Sequence, residues 1–348
     1  MRPSRLMKPV KILALATGCV AVVLLARLAF HGHTPAFHHS PHSIASLEKL
    51  RLGGADQYIL IRGKDVSNPL ILFLHGGPGM PTMYLAHAFQ RPLEKDFVVV
   101  QWDRRGAGKS YSGRIPAATM SVRQEISDTR ELVDVLRQRF QKDKVYLVGF
   151  SYGSYLGLLA TQRFPELFHA YVGVGQEACS AAEERQIQDK WIRREALARG
   201  NQQAMRQIEG KEPLDRERWL FEFGGELHRQ KNWRGLLWDG LTAPEYTLRD
   251  ILKLKAGVNF TARNFKYDAI DGALMDRVTS IDVPVYFFTG RFDYADPIGC
   301  TERYFNRLDA PRKEIIWFEQ SAHFPFLEEP EKFAQEMRRV AAGTGHQN

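Results

Sequence analysis

The segment Val145-Tyr-Leu-Val-Gly149-Phe-Ser151-Tyr-Gly153 is the most informative about the fold, because it joins a buried strand to a tight turn around one serine. Its first four residues are apolar, as in a core strand, and Ser154–Gln162 begins a helical pattern. Gly149 to Gly153 fits G-x-S-x-G, in which the serine sits on a sharp strand-to-helix elbow with its hydroxyl exposed. A chance match in an ordinary turn is the alternative. The strand–turn–helix context favours Ser151 as a nucleophile.

Short β-rich runs and helical patterns alternate on both sides of this segment, from Leu50 onward. Such alternation predicts an α/β fold with a mostly parallel central sheet and helices on both faces. The predicted strands are Tyr58–Ile61, Leu70–Leu74, Phe97–Trp102, Val145–Gly149, Ala170–Val174, Val285–Thr289 and Glu314–Phe318. Their near-continuous apolar runs suit strands buried on both faces. Helices are predicted over Ser121–Phe140 and after Pro330.

The alternation stops between Gln176 and about Asp276, where Glu, Arg, Gln and Ala predominate. Four tryptophans are scattered through this stretch: Trp191, Trp219, Trp233 and Trp238. We interpret it as a helical insertion between two core strands, which sits over the sheet as a cap. The chain thus divides into a core of residues 50–175 and 277–348 and a cap of residues 176–276.

A serine nucleophile needs a general base, and the base needs an acid to orient it. Where the serine lies on a G-x-S-x-G elbow, the chain order is serine, acid, histidine. Of the histidines after Ser151 and before the tail, His169 precedes a core strand and His228 lies in the cap. His323 follows the last strand, on a loop at the carboxyl edge of the sheet. We predict that His323 is the base; a surface histidine is the alternative.

The acid is expected at the end of the preceding strand. Asp293 lies in the turn that follows Val285–Thr289, and Asp296 stands just before Pro297. A residue in the position of Asp296 is also suited to begin the next helix as its N-cap. We therefore predict that Asp293 orients the histidine, with Asp296 as the rival.

An oxyanion intermediate needs backbone N–H donors that point at it. The glycine-rich run His75-Gly-Gly77-Pro-Gly79 follows the strand that ends at Leu74, where one donor is expected. The residue after the nucleophile, Tyr152, supplies the other. We predict an oxyanion hole formed by Gly77 and Tyr152, with His75 in a structural role. A plain glycine turn is the alternative for this loop.

Three motifs together resemble the prolyl aminopeptidase (proline iminopeptidase) branch of the α/β-hydrolase fold superfamily. They are His75 to Gly79, Trp102-Asp-Arg104-Arg-Gly-Ala-Gly-Lys-Ser110 and Gly149 to Gly153. Asp293 and His323 stand in matching contexts, Gly-Arg-Phe-Asp and Ser-Ala-His. The resemblance covers residues 57–175 and 277–340 and leaves the cap poorly matched. The family usually has Gln where Arg104 stands.

The resemblance implies an α/β-hydrolase fold whose helical cap follows the sixth core strand, and a Ser-Asp-His triad that uses no metal or other cofactor. It also implies removal of N-terminal residues, typically proline, from small peptides or amides. Trp238-Asp239-Gly240 resembles the family's Trp-Glu-Gly, so Trp238 and Asp239 are candidates for substrate binding. A carboxylesterase or lactonase is the alternative, and a non-catalytic ligand-binding protein is a third. A buried acid in the cap would favour the peptidase, and an apolar pocket the esterase.

Charge and cysteine content exclude other classes of protein. The formal net charge is +8, but residues 1–30 contribute five of these charges and the rest of the chain carries only +3. No basic stripe with interleaved aromatic residues is present, so nucleic-acid binding is not expected. The chain has three cysteines, of which only Cys179 and Cys300 lie in its body. They are too few for a disulfide framework and lack the spacing of a zinc site.

The N-terminus predicts export or anchoring. Four basic residues precede Ile12–Ala26, an apolar run without charge, as in a signal peptide or signal anchor. We favour an uncleaved anchor over residues 1–30, with the catalytic body outside the cytoplasm, because basic residues stay on the cytoplasmic side. Cleavage and release to the periplasm or the extracellular space is the alternative. Residues 31–49 contain prolines and five histidines and are predicted to form a flexible linker.

Overall fold

A computed structural model describes residues 17–19, 21–22, 25, 32–37, 40–229, 234–267 and 273–345. Its centre is a sheet of eight strands: β1 (Ile44–Leu52), β2 (Ala55–Gly63), β3 (Leu70–Leu74), β4 (Val98–Asp103), β5 (Val145–Ser151), β6 (Phe168–Gln176), β7 (Val285–Gly290) and β8 (Lys313–Phe318). The strand order is β1-β2-β4-β3-β5-β6-β7-β8. β1 pairs with β2, and β2 with β4, in antiparallel orientation, and all other pairs are parallel. The predicted α/β fold with a mostly parallel sheet is confirmed.

The apolar runs form central strands because both faces of the sheet are covered. All five residues of β3 are buried. Successive side chains alternate between the faces. Leu70, Leu72 and Leu74 belong to one hydrophobic cluster, and Ile71 and Phe73 to a second. The sheet thus separates two hydrophobic layers, and all seven predicted strands lie within it.

Helices flank the sheet and form the cap. The core helices are α1 (Ala86–Phe89), α2 (Val122–Phe140), α3 (Tyr152–Arg163), α10 (Ile298–Arg307), α11 (Pro325–Glu328) and α12 (Pro330–Gly343). Those between β6 and β7 are α4 (Ala181–Ala198), α5 (Gln202–Ile208), α6 (Arg216–Phe223), α7 (Arg234–Thr242), α8 (Leu248–Asn264) and α9 (Leu274–Arg277). Ser121 begins the predicted long helix α2 as its N-cap, accepting a hydrogen bond from the Gln124 N–H at 3.2 Å.

The cap lies over the carboxyl edge of the sheet. It has a small core of its own that includes Trp191, Trp219 and Phe223. Asp250, in α8, forms an ion pair with Lys109 at 2.7 Å, and Lys109 lies in the loop after β4. The Tyr246 hydroxyl donates to the carboxylate of Asp103, the last residue of β4. The cap therefore covers the edge at which catalytic loops of parallel sheets are found.

The predicted linker over residues 31–49 is wrong in its C-terminal part, since Ile44 begins β1 and the strand pairs along its length with β2. β1 is an antiparallel edge strand, with only intermediate burial over much of its length, so it lacks the continuous apolar run that marks a central strand. The preceding residues also contact the body. The Gly32 N–H donates to Pro244 O at 2.8 Å, and the Thr34 hydroxyl donates to Glu245 at 3.0 Å.

A disulfide joins Cys179 to Cys300, a pairing that the sequence did not reveal. The two cysteines are 121 residues apart, one just before α4 and the other in α10. The bond therefore joins the beginning of the cap to α10, the helix that follows Asp293. In the chain-entropy model, closing such a long loop lowers the conformational entropy of the unfolded chain and so stabilises the fold.

Most of the predicted signal segment, residues 1–30, lies outside the described residues. Among the residues that are described, no helix has both the length and the apolar character needed to cross a membrane. The anchor or signal peptide stays a prediction from the sequence.

Candidate active site

Ser151 occupies the turn between β5 and α3. Its backbone has φ 53° and ψ −127°, a conformation that non-glycine residues rarely adopt and that costs of order 1–3 kcal/mol. The elbow is packed so closely that a Cβ at Gly153 would lie 2.2 Å from the carbonyl oxygen of Leu74. The strained, glycine-dependent turn has the form expected of a nucleophile elbow.

His323 and Asp293 meet at the carboxyl ends of β7 and β8. His323 Nδ1 lies 3.0 Å from Asp293 Oδ2, and the other carboxylate oxygen of Asp293 accepts from the Asp296 N–H at 2.9 Å. The backbone N–H of His323 donates to the backbone carbonyl oxygen of Glu226, in the cap, at 3.0 Å. Both side chains are buried. A proton held at Nδ1 by the carboxylate leaves Nε2 as the basic nitrogen of the neutral ring.

Two neighbours place His323 beside the elbow. The ring of Phe150, the residue before Ser151, lies 4.8 Å from the His323 ring between centroids. A Cβ at Gly175 would lie 2.6 Å from His323 Nδ1, and Gln176 next to it is paired with Ser151 across β5 and β6. No hydrogen bond joins the Ser151 hydroxyl to His323 among the described residues. Such bonds are often long in ligand-free enzymes and shorten when substrate binds.

The predicted oxyanion loop lies against the serine. A Cβ at Gly76 would be 3.1 Å from the Cβ of Ser151. Gly77 has φ 113°, where a side chain would be strained, and its Cβ would lie 2.5 Å from Gly79 N. Tyr152 is the first residue of α3, so its N–H belongs to the first turn and lacks an intrahelical acceptor. Gly77 and Tyr152 stay the predicted donors.

Arg104 contacts the loop that carries Gly77 and, through Glu125, the side chain of Tyr152. Its guanidinium is buried and donates to the backbone oxygens of His75 at 2.7 Å and of Gly76 at 3.3 Å. The backbone N–H of Arg104 donates to His75 Nε2 at 3.2 Å. Glu125 forms an ion pair with Arg104 at 3.3 Å and accepts from the Tyr152 hydroxyl at 3.0 Å. Burial, followed by the charge of Arg104, holds the pKa of His75 well below its usual value. His75 is therefore structural, as predicted.

Four further acids surround His323: Glu177 after β6, Glu184 in α4, Glu226 after α6 and Asp296 before α10. Asp296 Oδ2 lies 3.8 Å from His323 Nε2. This oxygen and Glu184 Oε1 are buried without a hydrogen-bond partner among the described residues. We call these four residues the carboxylate cluster.

The electrostatics of the carboxylate cluster are unusual. Burial raises the pKa of both Glu177 and Glu226 to about 7, and that of Glu184 to about 10. It also raises the pKa of Asp296 well above its usual value. Burial alone would lower the pKa of His323, but the charge and hydrogen bond of Asp293, followed by Glu226 and Asp296, raise it to about 10. Burial therefore favours the neutral, protonated forms of the four cluster carboxyls, whereas Asp293 favours the protonated form of His323.

The structure corrects one expectation for this region. Asp296 is not the N-cap of α10, because Pro297 occupies that position and has no side-chain cap bond. Trp238 is 66% exposed on α7 and Asp239 lines a cavity together with Leu227 and Arg229, so both stay predictions for substrate binding. Of the carboxylate cluster, the sequence singled out Asp296 alone, and no recognisable motif marked Glu177, Glu184 and Glu226.

A cavity of about 600 Å³ opens between the oxyanion loop and the cap helices α6, α7 and α8. Met80, Tyr84, Phe221, Leu236 and Leu254 make it largely apolar, and Asp215, Glu217 and Glu222 add acidic groups. A second cavity, of about 410 Å³, is lined by Leu227, Arg229 and Asp239 among others. Among the described residues there is no group of three or more His, Cys, Asp or Glu suited to holding a metal ion.

Comparisons with known proteins identify the family to which the fold belongs. Residues 69–330 match the family model described as alpha/beta hydrolase fold. The chain is 35% identical over 309 residues to a probable aminopeptidase, YbaC, of Bacillus subtilis (strain 168), which covers 86% of this chain and 97% of the relative. It is 27% identical over 275 residues to a proline iminopeptidase of Heyndrickxia coagulans, which covers 76% and 87% of the two chains.

A solved structure shows the same fold. The proline iminopeptidase of Mycobacterium smegmatis superposes with a TM-score of 0.62 at 16% identity, over 86% of this chain and 98% of the other. At this identity the likeness concerns the fold alone.

The two acids next to His323 are distinguishable by substitution. Asp293→Asn should lower kcat about 10³- to 10⁴-fold, because the amide would leave the imidazole in the wrong tautomer. Asp296→Asn should cost less than about tenfold in kcat, since it removes charge near Nε2 and leaves the Nδ1 contact intact. Steady-state kinetics on the two purified variants measures the difference. Greater damage from Asp296→Asn would reverse the assignment.

Arg104→Lys should lower kcat about 10- to 100-fold with little change in KM. A single ammonium nitrogen cannot occupy both the position of Arg104 Nη2, which donates to His75 O and Gly76 O, and that of Nε, which pairs with Glu125. Loss of one oxyanion donor typically costs 10²–10³-fold. Arg105→Lys is the matched control, since Arg105 is also buried and donates to Asp128 at 2.7 Å. It should destabilise the protein and leave kcat near normal. Equal kcat losses in two folded variants would show that Arg104 has no special role.

Proposed function

The chain belongs to the α/β-hydrolase family, and we propose that it is a serine aminopeptidase that removes N-terminal residues from small peptides or amides. In this proposal Ser151 is the nucleophile, His323 is the general base and Asp293 holds the imidazole in the productive tautomer. The elbow and the 3.0 Å contact between His323 Nδ1 and Asp293 Oδ2 support these roles.

The proposed reaction has two halves. Ser151 Oγ attacks the carbonyl carbon of the first peptide bond while His323 Nε2 takes the hydroxyl proton. The oxyanion accepts hydrogen bonds from the N–H groups of Gly77 and Tyr152. The C–N bond then breaks, and His323 gives its proton to the leaving amine. A water molecule, deprotonated by the same nitrogen, releases the first residue from Ser151.

The carboxylate cluster is the observation that carries the peptidase proposal. In an aminopeptidase the substrate's ammonium nitrogen lies only about 2.5 Å from the carbonyl carbon under attack, two covalent bonds away. The group that recognises this ammonium must therefore lie beside the catalytic histidine. Asp296, whose carboxylate lies 3.8 Å from His323 Nε2, and Glu226, whose charge acts on His323, meet this requirement. The Asp296 side chain is buried and Glu226 is partly buried.

A carboxylesterase or lactonase is the second candidate, and the apolar cavity of about 600 Å³ favours it. A substrate ammonium next to the carboxylate cluster, however, would favour the ionised forms of these acids and pair with them, an interaction that an uncharged acyl group cannot make. In the peptidase proposal, the cavity receives apolar side chains downstream of the cleaved bond. A purely binding function is disfavoured because the histidine and its acid are held in a catalytic arrangement.

The wild-type protein should cleave alanyl-4-nitroanilide at least about 100-fold faster, in kcat/KM, than N-acetylalanyl-4-nitroanilide, which lacks the ammonium. Ser151→Ala should lose about 10³-fold or more with both, because triad members act as a unit. Glu226→Gln should lower kcat/KM about 10- to 100-fold for the free amine only.

Glu222→Gln is the control for Glu226→Gln, since Glu222 is paired with Arg218 at the surface of α6. It should leave the preference for the free amine unchanged. Equal cleavage of the acetylated and free substrates, or better cleavage of short-chain esters without an amine, would favour the esterase. A folded Ser151→Ala protein with normal turnover would remove the hydrolase mechanism itself.

We also propose that the N-terminal segment anchors the enzyme with its body outside the cytoplasm, where its substrates would be peptides of that compartment. The support is the charge-free run Ile12–Ala26 behind four basic residues, together with the Cys179–Cys300 disulfide. Disulfides form and persist mainly in oxidising compartments.

Alkylation of thiols in intact bacteria that express the chain tests this placement. In the full chain Cys179 and Cys300 should resist alkylation, and deletion of residues 1–30 should make both reactive in the cytosol. N-terminal sequencing of the fractionated protein distinguishes an uncleaved anchor from a soluble form that begins near residue 30. Recovery of the intact chain in the cytosol with both cysteines alkylated would contradict the proposal.

A further inference from the structure

Exposed apolar side chains are concentrated on the outer side of the cap. On α7, Trp238 is 66% exposed and Leu237 and Leu241 are exposed as well, and on α8 Leu252 is 73% exposed. Of these four, Leu237 lines the cavity of about 600 Å³, and the other three are not among its lining residues. Scattered exposed apolar residues are ordinary, whereas a group of them on two consecutive helices marks a surface that binds a partner.

The helix α8 has two distinct faces. Gly257 and Thr261 are buried on the inner face, where the Thr261 hydroxyl donates to Gly106 O in the loop after β4 at 3.4 Å. The exposed residues recur at helical spacing on the opposite side and include Arg249, Leu252, Lys255, Asn259 and Arg263. The structure describes α8 in full, and this outer face has three basic residues and no acid. Basic side chains attract anionic lipid headgroups, and apolar side chains beside them enter the boundary with the acyl chains.

The chain that follows the predicted anchor is attached to the same side of the cap. The Gly32 N–H donates to Pro244 O at 2.8 Å, in the turn between α7 and α8, and a Cβ at Gly32 would lie 2.9 Å from Thr247 Cγ2. One residue separates Gly32 from the predicted anchor, so that two Cα–Cα steps of at most about 8 Å in all join it to Phe30. An anchor that ends at Phe30 therefore holds the turn between α7 and α8 next to the headgroups.

We propose that the outer side of α7 and α8 docks on the anionic lipid headgroups of the membrane that holds residues 1–30. This inference rests on the proposed anchoring of the N-terminal segment and does not depend on the substrate. We call Trp238, Leu241, Arg249, Leu252 and Lys255 the cap surface. Its apolar side chains enter the headgroup boundary, where tryptophan is favoured, and its basic side chains pair with lipid phosphates. The anchor and the cap surface together hold the enzyme in one orientation on the membrane.

Fluorescence of Trp238 in the full chain, reconstituted into vesicles of phosphatidylcholine and phosphatidylglycerol, tests the docking. The Trp238 signal is the difference between the wild-type protein and Trp238→Phe. Bromine on the lipid acyl chains, which quenches tryptophan on contact, should lower this signal at least about twofold, because the docked ring lies at the boundary of headgroups and acyl chains. The signal of Trp317, obtained in the same way with Trp317→Phe, should not change, since β8 is at the opposite edge of the sheet from β1 and β2.

A double variant, Leu252→Glu with Lys255→Glu, should lose most of the quenching of Trp238. Phosphatidylcholine alone should also reduce the quenching in the wild-type protein, because it lacks the anionic headgroup. The matched control is Leu197→Glu with Lys190→Glu, an exposed pair on α4 that undergoes the same change in charge and should keep the quenching. Both double variants should cleave alanyl-4-nitroanilide in detergent with near-normal kcat/KM, since none of the four residues belongs to the predicted site.

The outcomes separate docking from anchoring. If the full chain stays in the vesicles during extraction at alkaline pH and bromine leaves the Trp238 signal unchanged, docking is wrong and anchoring stands. A Trp238 signal that alaninamide changes and bromine does not would assign Trp238 to substrate binding, and an unquenched Trp238 in a cross-linked dimer would assign the surface to a second copy of the chain. If alkaline extraction removes the full chain, the anchor fails and docking fails with it.

Discussion

The hydrogen bond between His323 Nδ1 and Asp293 Oδ2 is the contact on which the functional arrangement depends. It exists because β7 and β8 are adjacent and parallel, so that the loops after them leave the same edge of the sheet. Backbone bonds fix these loops to each other, with the Phe292 N–H donating to Ser321 O at 3.0 Å. The backbone N–H of His323 donates to the backbone carbonyl oxygen of Glu226, and this hydrogen bond joins the core to the cap. A change in the pairing of β7 and β8 would therefore disturb the base, its acid and the cap together.

Different sets of charged side chains support the two sides of the serine. On one side the buried Arg104 holds the carbonyls of the oxyanion loop, and Glu125 compensates it while fixing Tyr152. On the other side the carboxylate cluster surrounds His323. In the proposed mechanism, a peptide with a free N-terminus presents its ammonium to the carboxylate cluster, and the carbonyl that becomes an anion faces the predicted donors Gly77 and Tyr152. Groups fixed in advance stabilise such charges without reorganising during the reaction.

The sequence predicted what depends on local pattern. The strands of the parallel sheet follow from short apolar runs, and the elbow from two glycines around Ser151. His323 and Asp293 follow from their places after the last two strands. β1 was missed because an edge strand needs no continuous apolar run. The Cys179–Cys300 disulfide was missed because its partners are 121 residues apart, and only the fold brings them together.

The carboxylate cluster was beyond sequence analysis for the same reason. Glu177, Glu184 and Glu226 lie in three different elements, among many other acids of the cap. In the one local pattern that pointed to substrate binding, Trp238-Asp239-Gly240, the tryptophan is exposed on α7 and the glycine is buried.

A crystal structure of the Ser151→Ala protein with a bound dipeptide would show directly whether the carboxylate cluster recognises the substrate's amine. We expect the dipeptide's ammonium to lie within about 3.5 Å of carboxylate oxygens of the cluster, with its first carbonyl at the elbow. A dipeptide whose ammonium faces solvent, with the cluster contacting only His323, would contradict this role.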